Sequence, residues 1–344
     1  MAADIEGAGV NRIILTAALL LCLATPALAN DSSAELKQGG LVLVRNPGVE
    51  MRSEDLFISP TAVKVRYRFR NTTGRDQRVT VAFPMPNITV EGPDDLISIP
   101  TQDPENFLAF STRVDGKPVT ARIEQRVFSR GVDQTAYLRS LHVPLAPQLE
   151  AAGKALDRLP KSVQGHLLKI GLAIPDDFDA GKGWEHHLQP TWTLRTTYYW
   201  DQVFPAGREL AVEHDYTPSV GETSGASLEA DWYRTSPDYK RMKDRYCIDD
   251  AFLAAVAKAK RAAGPERQAF FEKRIDYVLS SGANWKSSIA DFRLVVDKGR
   301  PDALVSFCMV GVTRLDATRF EVRKTAFRPG RDLSILILEP VPAS

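Results

Sequence analysis

Several absences narrow the field before any motif is read. In 344 residues there are only three cysteines and five histidines, which leaves few groups for thiol chemistry or metal ligation. Neither charge sign is in excess: 44 Lys and Arg face 43 Asp and Glu, a formal charge of +1. That excludes the basic footprint by which counterion release drives nucleic-acid binding, so no nucleic-acid partner is expected. No apolar run reaches the ~20 residues that a helix needs to cross a bilayer. A glycine-rich phosphate loop, HExxH, CxxC, the G-x-S-x-G elbow and S-x-x-K are all missing from the sequence, which removes the cheapest support for several enzyme classes. Convergent sites ignore spacing, so the chemistry itself stays open. What is present is ordinary for a folded chain. With 44% hydrophobic and 25% charged residues, it can bury one large core or two medium ones.

The N-terminus reads as a leader. Arg12 precedes the apolar run Ile13 to Leu23, and Ala27-Leu28-Ala29 before Asn30 is the small-x-small pattern of a leader cleavage site. Residues 1–29 are therefore expected to be removed, leaving an exported soluble protein, periplasmic or secreted, with no transmembrane span. Asp4 and Glu6 are foreign to the start of a leader and place the translation start near Val10 as readily as at Met1. Cys22 follows Leu19, Leu20 and Leu21, a poor context for lipid attachment. Cleavage leaves Cys247 and Cys308 in an oxidising compartment, where one disulfide is expected; two free thiols and a catalytic cysteine are the alternatives.

Along the mature chain, alternation dominates. Val63, Val65, Tyr67 and Phe69 interleave with Lys64, Arg66, Arg68 and Arg70, the period-two pattern of a strand with one buried face. Asp115-Gly116 between apolar alternations predicts a tight hairpin. Residues 30–145 thus form an N-terminal β-rich region. A helical insertion over 146–183 carries two short helices parted by Pro160, with Ser162 able to cap the second, and then a loop from Pro175 to Gly183. Residues 184–220 predict a second hairpin: Trp192, Leu194, Thr196, Tyr198 and Trp200 share one face, and Leu210, Val212, His214 and Tyr216 answer them across the turn Phe204 to Gly207. Over 221–282 a loop and a helical pair are expected. The first helix opens at Asp249-Asp250; the second runs from Pro265 to Gly282 with Phe271, Ile275, Val278 and Leu279 on its stripe. The C-terminal region, 283–344, returns to strands, including the apolar runs Ala303 to Val312 and Leu333 to Leu338. The fold class is α+β and β-rich: antiparallel sandwich-like sheets with helical insertions.

The segments Gly39-Gly40-Leu41, Met51 to Ser59, Val65-Arg66-Tyr67 and Val81 to Pro86 resemble the start of the bacterial domain-of-unknown-function 4424 family. Phe204-Pro205, Tyr216-Thr217-Pro218, Tyr246 to Asp249, Phe292 to Val296, Phe307-Cys308 and Arg331-Asp332-Leu333 extend that resemblance over the whole mature chain. It implies an exported bacterial protein and carries no catalytic residues.

Candidate chemistry is sparse. Glu185, His186 and His187, with His214 and Asp215, are the one dense set of potential metal ligands, and could serve a hydrolase acting on envelope material. Adjacent histidines point to opposite sides of a strand, however, and His214 sits on the apolar side of its own strand, as a satisfied core histidine does. Of the aromatics concentrated in mid-chain, Tyr199, Trp232 and Tyr233 are left for the surface, where a ring can stack on a sugar or peptide. The Lys64–Arg70 stripe offers weak contact with an anionic membrane surface, or is a solvated face, or guards an edge strand. No cofactor is implied. The leading expectation is a non-catalytic envelope module that binds a protein or glycan, with the hydrolase as its rival.

Overall fold

A computed structural model describes residues 30–37, 40–90 and 96–342. The expected leader, residues 1–29, lies outside the described residues. Strand outweighs helix by 46% to 20%, which makes this a β-rich α+β protein.

The chain begins with β1 (Ser32–Lys37), β2 (Gly40–Val44), β3 (Val49–Ser59), β4 (Ala62–Asn71) and β5 (Gln77–Pro84). Short strands β6 (Ile88–Thr89), β7 (Leu96–Ser98), β8 (Ser111–Val114) and β9 (Lys117–Val119) follow, then β10 (Arg122–Ser129) and β11 (Val132–Asp133). Helices α1 (Thr135–Ser140), α2 (Glu150–Asp157) and α3 (Lys161–Ile170) lead to β12 (Ala173–Asp179), β13 (Trp184–Pro190), β14 (Thr193–Phe204), β15 (Glu209–Tyr216) and β16 (Val220–Thr223). After α4 (Pro237–Tyr246) and α5 (Asp250–Ala263) come β17 (Phe270–Tyr277), β18 (Ile289–Asp297), β19 (Leu304–Phe307), β20 (Thr313–Arg314), β21 (Arg319–Phe327) and β22 (Leu333–Pro340).

Among the described residues these strands form three sheets and a ribbon. The first sheet runs β11-β10-β14-β5-β1-β2, with β6 on β14; the second runs β20-β21-β18-β3-β4-β15-β8-β9; the third runs β19-β22-β17-β16-β7; β12 and β13 pair as a ribbon. The described pairs are antiparallel except β18 on β3, where the two ends of the chain meet in parallel. The first two sheets face each other. Val81, Phe83, Tyr198 and Trp200 of one meet Val65, Tyr67, Phe69 and Val212 of the other in a single buried cluster, with Phe110 stacked on Tyr198 at 4.1 Å. The expected inward set from Trp192 to Trp200 is buried throughout.

The third sheet has two covered faces, and that is why Leu333 to Leu338 reads as an unbroken apolar run. Ile275, Tyr277, Ile335 and Ile337 turn to the main core, while Phe270, Leu336 and Leu338 pack under Met242, Tyr246, Phe252 and Val256 of α4 and α5. Asp249 caps α5, its carboxylate accepting from the Phe252 amide at 2.7 Å. Cys247, at the end of α4, is bonded to Cys308, just past β19.

Several expectations are corrected. The segment 265–282 holds strand β17 (Phe270–Tyr277) rather than an α-helix: its backbone pairs with β22 on one side and β16 on the other, and such long-range pairing overrides a weak local helical pattern. Phe271, a member of the expected helical stripe, is exposed as a result. The turn at Phe204 to Gly207 closes no hairpin. Strand β14 pairs with β10 and β5 in the first sheet, and β15 pairs with β4 and β8 in the second, so the chain arches across the sandwich. The expected loop 175–183 is largely the ribbon β12–β13. Of Ala303 to Val312 only Leu304–Phe307 is strand, and Val310 is 82% exposed. Helix α3 is capped at Pro160, two residues earlier than Ser162 would set it.

Candidate functional site

A cleft with an exposed tryptophan among its lining residues lies where β16 leaves the third sheet. Beyond Thr223 the chain makes a tight approach to Gln268: a Cβ on Gly225 would sit 2.5 Å from its side-chain amide nitrogen, so a larger residue would have to displace that side chain. Two 3-10 turns follow, at Ser227–Glu229 and Asp231–Thr235. They are fastened from below. Leu228 is buried, and the Glu229 carboxylate accepts from the backbone amides of Ala269 and Phe270 at 2.9 and 2.8 Å. The opposite wall is held by Lys260, whose ammonium donates to the carbonyls of Pro265 and Arg267 at 3.0 and 2.7 Å. Between these walls is a cleft of about 820 Å³, with Leu96, Ser224, Ser227, Trp232 and Gln268 among its lining residues.

Trp232 is 71% exposed. Its ring is held edge-on by Tyr233, with centroids 5.7 Å apart and planes at 87°; Tyr233 in turn meets Tyr239 edge-on and donates its hydroxyl to Met242 Sδ at 3.3 Å. One aromatic therefore presents a face, and its neighbour fixes the orientation. Tyr199 stands elsewhere, on the outer side of the first sheet, with the Arg122 guanidinium 4.5 Å over its ring. The lining residues of the cleft include no His or Cys. Their chemistry is that of an apolar face rimmed by hydroxyls, an amide and backbone groups, with Glu229, Asp231 and Lys260 also on the lining, and it is suited to stacking and hydrogen bonding.

The histidines do not assemble there. His186 and His187 project to opposite sides of the ribbon. His186 Nδ1 lies 3.0 Å from Asp177. His187 has both ring nitrogens engaged, Nδ1 at 2.8 Å from Asp157 and Nε2 at 3.3 Å from Glu185, and these contacts, that with Asp157 foremost, raise its pKa from the ordinary value. His214 is 1% exposed between the sheets. Its Nδ1 meets Thr112, and Nε2 lies 3.0 Å from Asp31. Asp215, next along β15, points outward and sits 3.7 Å from Arg113. Among the described residues no three His, Cys, Asp or Glu side chains are arranged to hold a metal ion.

The cationic residues of β4 do face outward, but β4 is an interior strand, so they guard no edge. Arg66 pairs in register with Asp55 and Glu213, Lys64 with Asp215, and Arg70 with Glu50 and Glu209. Directly paired residues share a face, so this surface is of mixed charge.

A cluster that the sequence reading missed lies under His214. Asp31 and Glu54 are both buried beside Tyr67 and Tyr277. Burial raises the Asp31 carboxyl, against the pull of His214, and pushes Glu54 up to about 8, against a hydrogen bond from Asn30. The signal for Glu54 was parity: Met51 and Leu56 are both inward yet an odd number of residues apart, so a bulge must intervene, and the register does shift between Met51 and Ser53.

No curated protein matches the chain. Among solved structures it is similar to that of a proposed nutrient binding protein from Legionella pneumophila subsp. pneumophila str. Philadelphia 1, at 16% identity over 90% of this chain and 70% of that chain, with a TM-score of 0.44; a likeness that distant says nothing of ligand or role. From residue 29 to residue 336 the chain matches the family described as Domain of unknown function (DUF4424), and it belongs to that family.

Proposed function

We propose that this protein is an exported, non-catalytic binding module of the cell envelope, and that the cleft beneath Trp232 receives its ligand, a sugar ring or peptide of an envelope glycan or protein. The observation that carries the reading is a large aromatic left 71% exposed yet oriented by Tyr233 over a cleft of about 820 Å³. A ring held in the open in this way is ready to stack without losing further rotamer freedom. The scatter of Glu185, His186, His187 and His214 supports binding over hydrolysis, because His214 is buried between the sheets while the doubly engaged His187 stands on the ribbon. Export accords with a disulfide whose Cys247 end is exposed, since such a bond persists in oxidising compartments. No helix among the described residues is long and apolar enough to cross a membrane.

The test is a fluorescence titration of the mature protein with soluble muropeptides, which offer sugar rings and peptide together. A saturable change is expected, lost in Trp232→Ala with the melting temperature held, as for a surface substitution worth less than about 0.5 kcal/mol. A flat titration overturns the reading, and so does a saturable one that survives Trp232→Ala.

A further inference from the structure

The first described residues are among the most deeply buried. Asn30 and Asp31 are 0% exposed, lodged between β3, β4 and the 3-10 turn at Ser280–Asn284. The backbone nitrogen of Asn30 donates to Ser281 Oγ, and that hydroxyl donates back to the Asn30 carbonyl. The Asn30 side chain donates to Glu54 Oε2 at 2.9 Å and accepts from the Tyr67 hydroxyl, which lies 3.2 Å from that of Tyr277. Trp285 Nε1 donates to the Asp31 carbonyl at 2.6 Å. The turn makes room for this: a Cβ on Gly282 would come within 2.6 Å of the Asn30 side-chain nitrogen, Nδ2.

The pocket is nonetheless short of donors. Asp31 Oδ2 and Glu54 Oε1 are buried with no hydrogen-bond partner, and among the described residues neither carboxyl meets a Lys or Arg. An amide nitrogen at Asn30 has a single hydrogen, and Ser281 takes it. The cleavage pattern Ala27-Leu28-Ala29 ends immediately before this nitrogen.

We propose that hydrolysis of the Ala29–Asn30 bond by a leader-removing protease turns Asn30 into a buried N-terminal ammonium group, and that this group locks into the pocket of Asp31, Glu54 and Ser281 to complete the mature fold. Water is the co-reactant. Its oxygen joins the Ala29 carbonyl carbon as the C–N bond breaks, both of its hydrogens end on the Asn30 nitrogen, and a carboxylate departs with the leader. The nitrogen gains two hydrogens and a positive charge, and two carboxylate oxygens wait unpaired on Asp31 and Glu54. A buried carboxyl is stabilised in its charged form when an opposite charge and hydrogen bonds reach it. With Asn30 an amide, burial pushes Glu54 up against the hydrogen bond from the Asn30 side chain. Processing would then be part of folding, because in the unprocessed chain Asp31 has only His214 beside it as a counter-charge and Glu54 has no Lys or Arg among the described residues. This proposal does not depend on the ligand cleft.

The test uses the full chain, exported and purified with its natural leader. Intact mass and N-terminal sequencing should place the mature start at Asn30. Reductive dimethylation of the native protein should modify surface amines such as Lys240 and spare the Asn30 α-amine, which becomes reactive on denaturation. A glycine inserted between Ala29 and Asn30 displaces the ammonium by one residue and should lower the melting temperature by about 5 °C or more. A mature start at another residue overturns the proposal. So does an α-amine that reacts equally in native and denatured protein, or a glycine insertion that leaves the melting temperature unchanged.

Discussion

Removing the disulfide isolates one term in the stability of this fold. Cys247 and Cys308 are 61 residues apart in sequence, and the loop they close contains α5, β17 and β18, much of what packs the third sheet on the core. Loop closure over that length takes about 14 cal/mol/K from the unfolded chain, or about 4 kcal/mol at 25 °C. Cys247 is exposed and Cys308 half-buried, so Cys247→Ser with Cys308→Ser opens no core cavity and the entropy term stands nearly alone. At roughly 2 °C per kcal/mol for a chain of this size, the melting temperature should fall by about 8 °C. Guanidinium unfolding followed by tryptophan fluorescence gives the free energy directly, and reductant added to the unsubstituted protein should reproduce the loss. Either single serine variant should cost as much as the pair. Cys247 ends α4 with φ of 53°, a left-handed conformation that favours glycine, so Cys247→Gly should lose about 1 kcal/mol less than Cys247→Ser. A double variant within about 1 kcal/mol of the parent would refute the loop-closure reasoning.

Other perturbations test separate parts of the structure. Trp285→Phe removes the donor to the Asp31 carbonyl and thins the contact with Phe69; about 3 kcal/mol should be lost in urea unfolding, and a loss below about 1 kcal/mol would contradict the burial of that bond. Asp157→Asn takes away the first cause of the raised His187 pKa, so the imidazole should titrate lower by NMR; an unmoved titration would show that Asp157 does not hold the ring. With Asn30 an amide, Glu54, buried beside Asn30, Asp31, Tyr67 and Tyr277, has a pKa raised from 4.5 to about 8. A raised folded pKa gives stability that is fully present below pH 4.5 and is lost as pH rises toward 8. Unfolding measured across that range should show the decline, less steep in Glu54→Gln. Asp31, raised in the same direction, should keep part of the slope. The processed chain should lack the Glu54 part of the slope if the Asn30 ammonium holds that carboxylate ionised.

The parts of this fold that could be read in the sequence are those set by one strand at a time. Val63 to Phe69 alternate with Lys64 to Arg70 because a pleated strand puts neighbours on opposite faces, and that pattern needs no knowledge of the partner strands. The Trp192 to Trp200 face and the apolar set on β15 were legible for the same reason. Their pairing was not. Inward residues alternate identically whether two strands bond to each other or face each other across a sandwich, so Phe204 to Gly207 gives the same signal as a hairpin or as an arch. Strand β17 failed differently: Phe271, Ile275 and Val278 fall at helical spacing by chance, and only β16 and β22, far away in sequence, decide the matter. The buried cluster is the extreme case, since the partners of Asn30 are Glu54, 24 residues on, and Ser281, 251 residues on. One local clue to it existed. Met51 and Leu56 cannot both be inward on a regular strand, and the bulge that reconciles them turns an acid toward the core. An acid placed there by parity must find a counter-charge or give up its charge, and with neither Lys nor Arg beside it among the described residues, Glu54 is pushed up by burial while the Asn30 side chain donates to it.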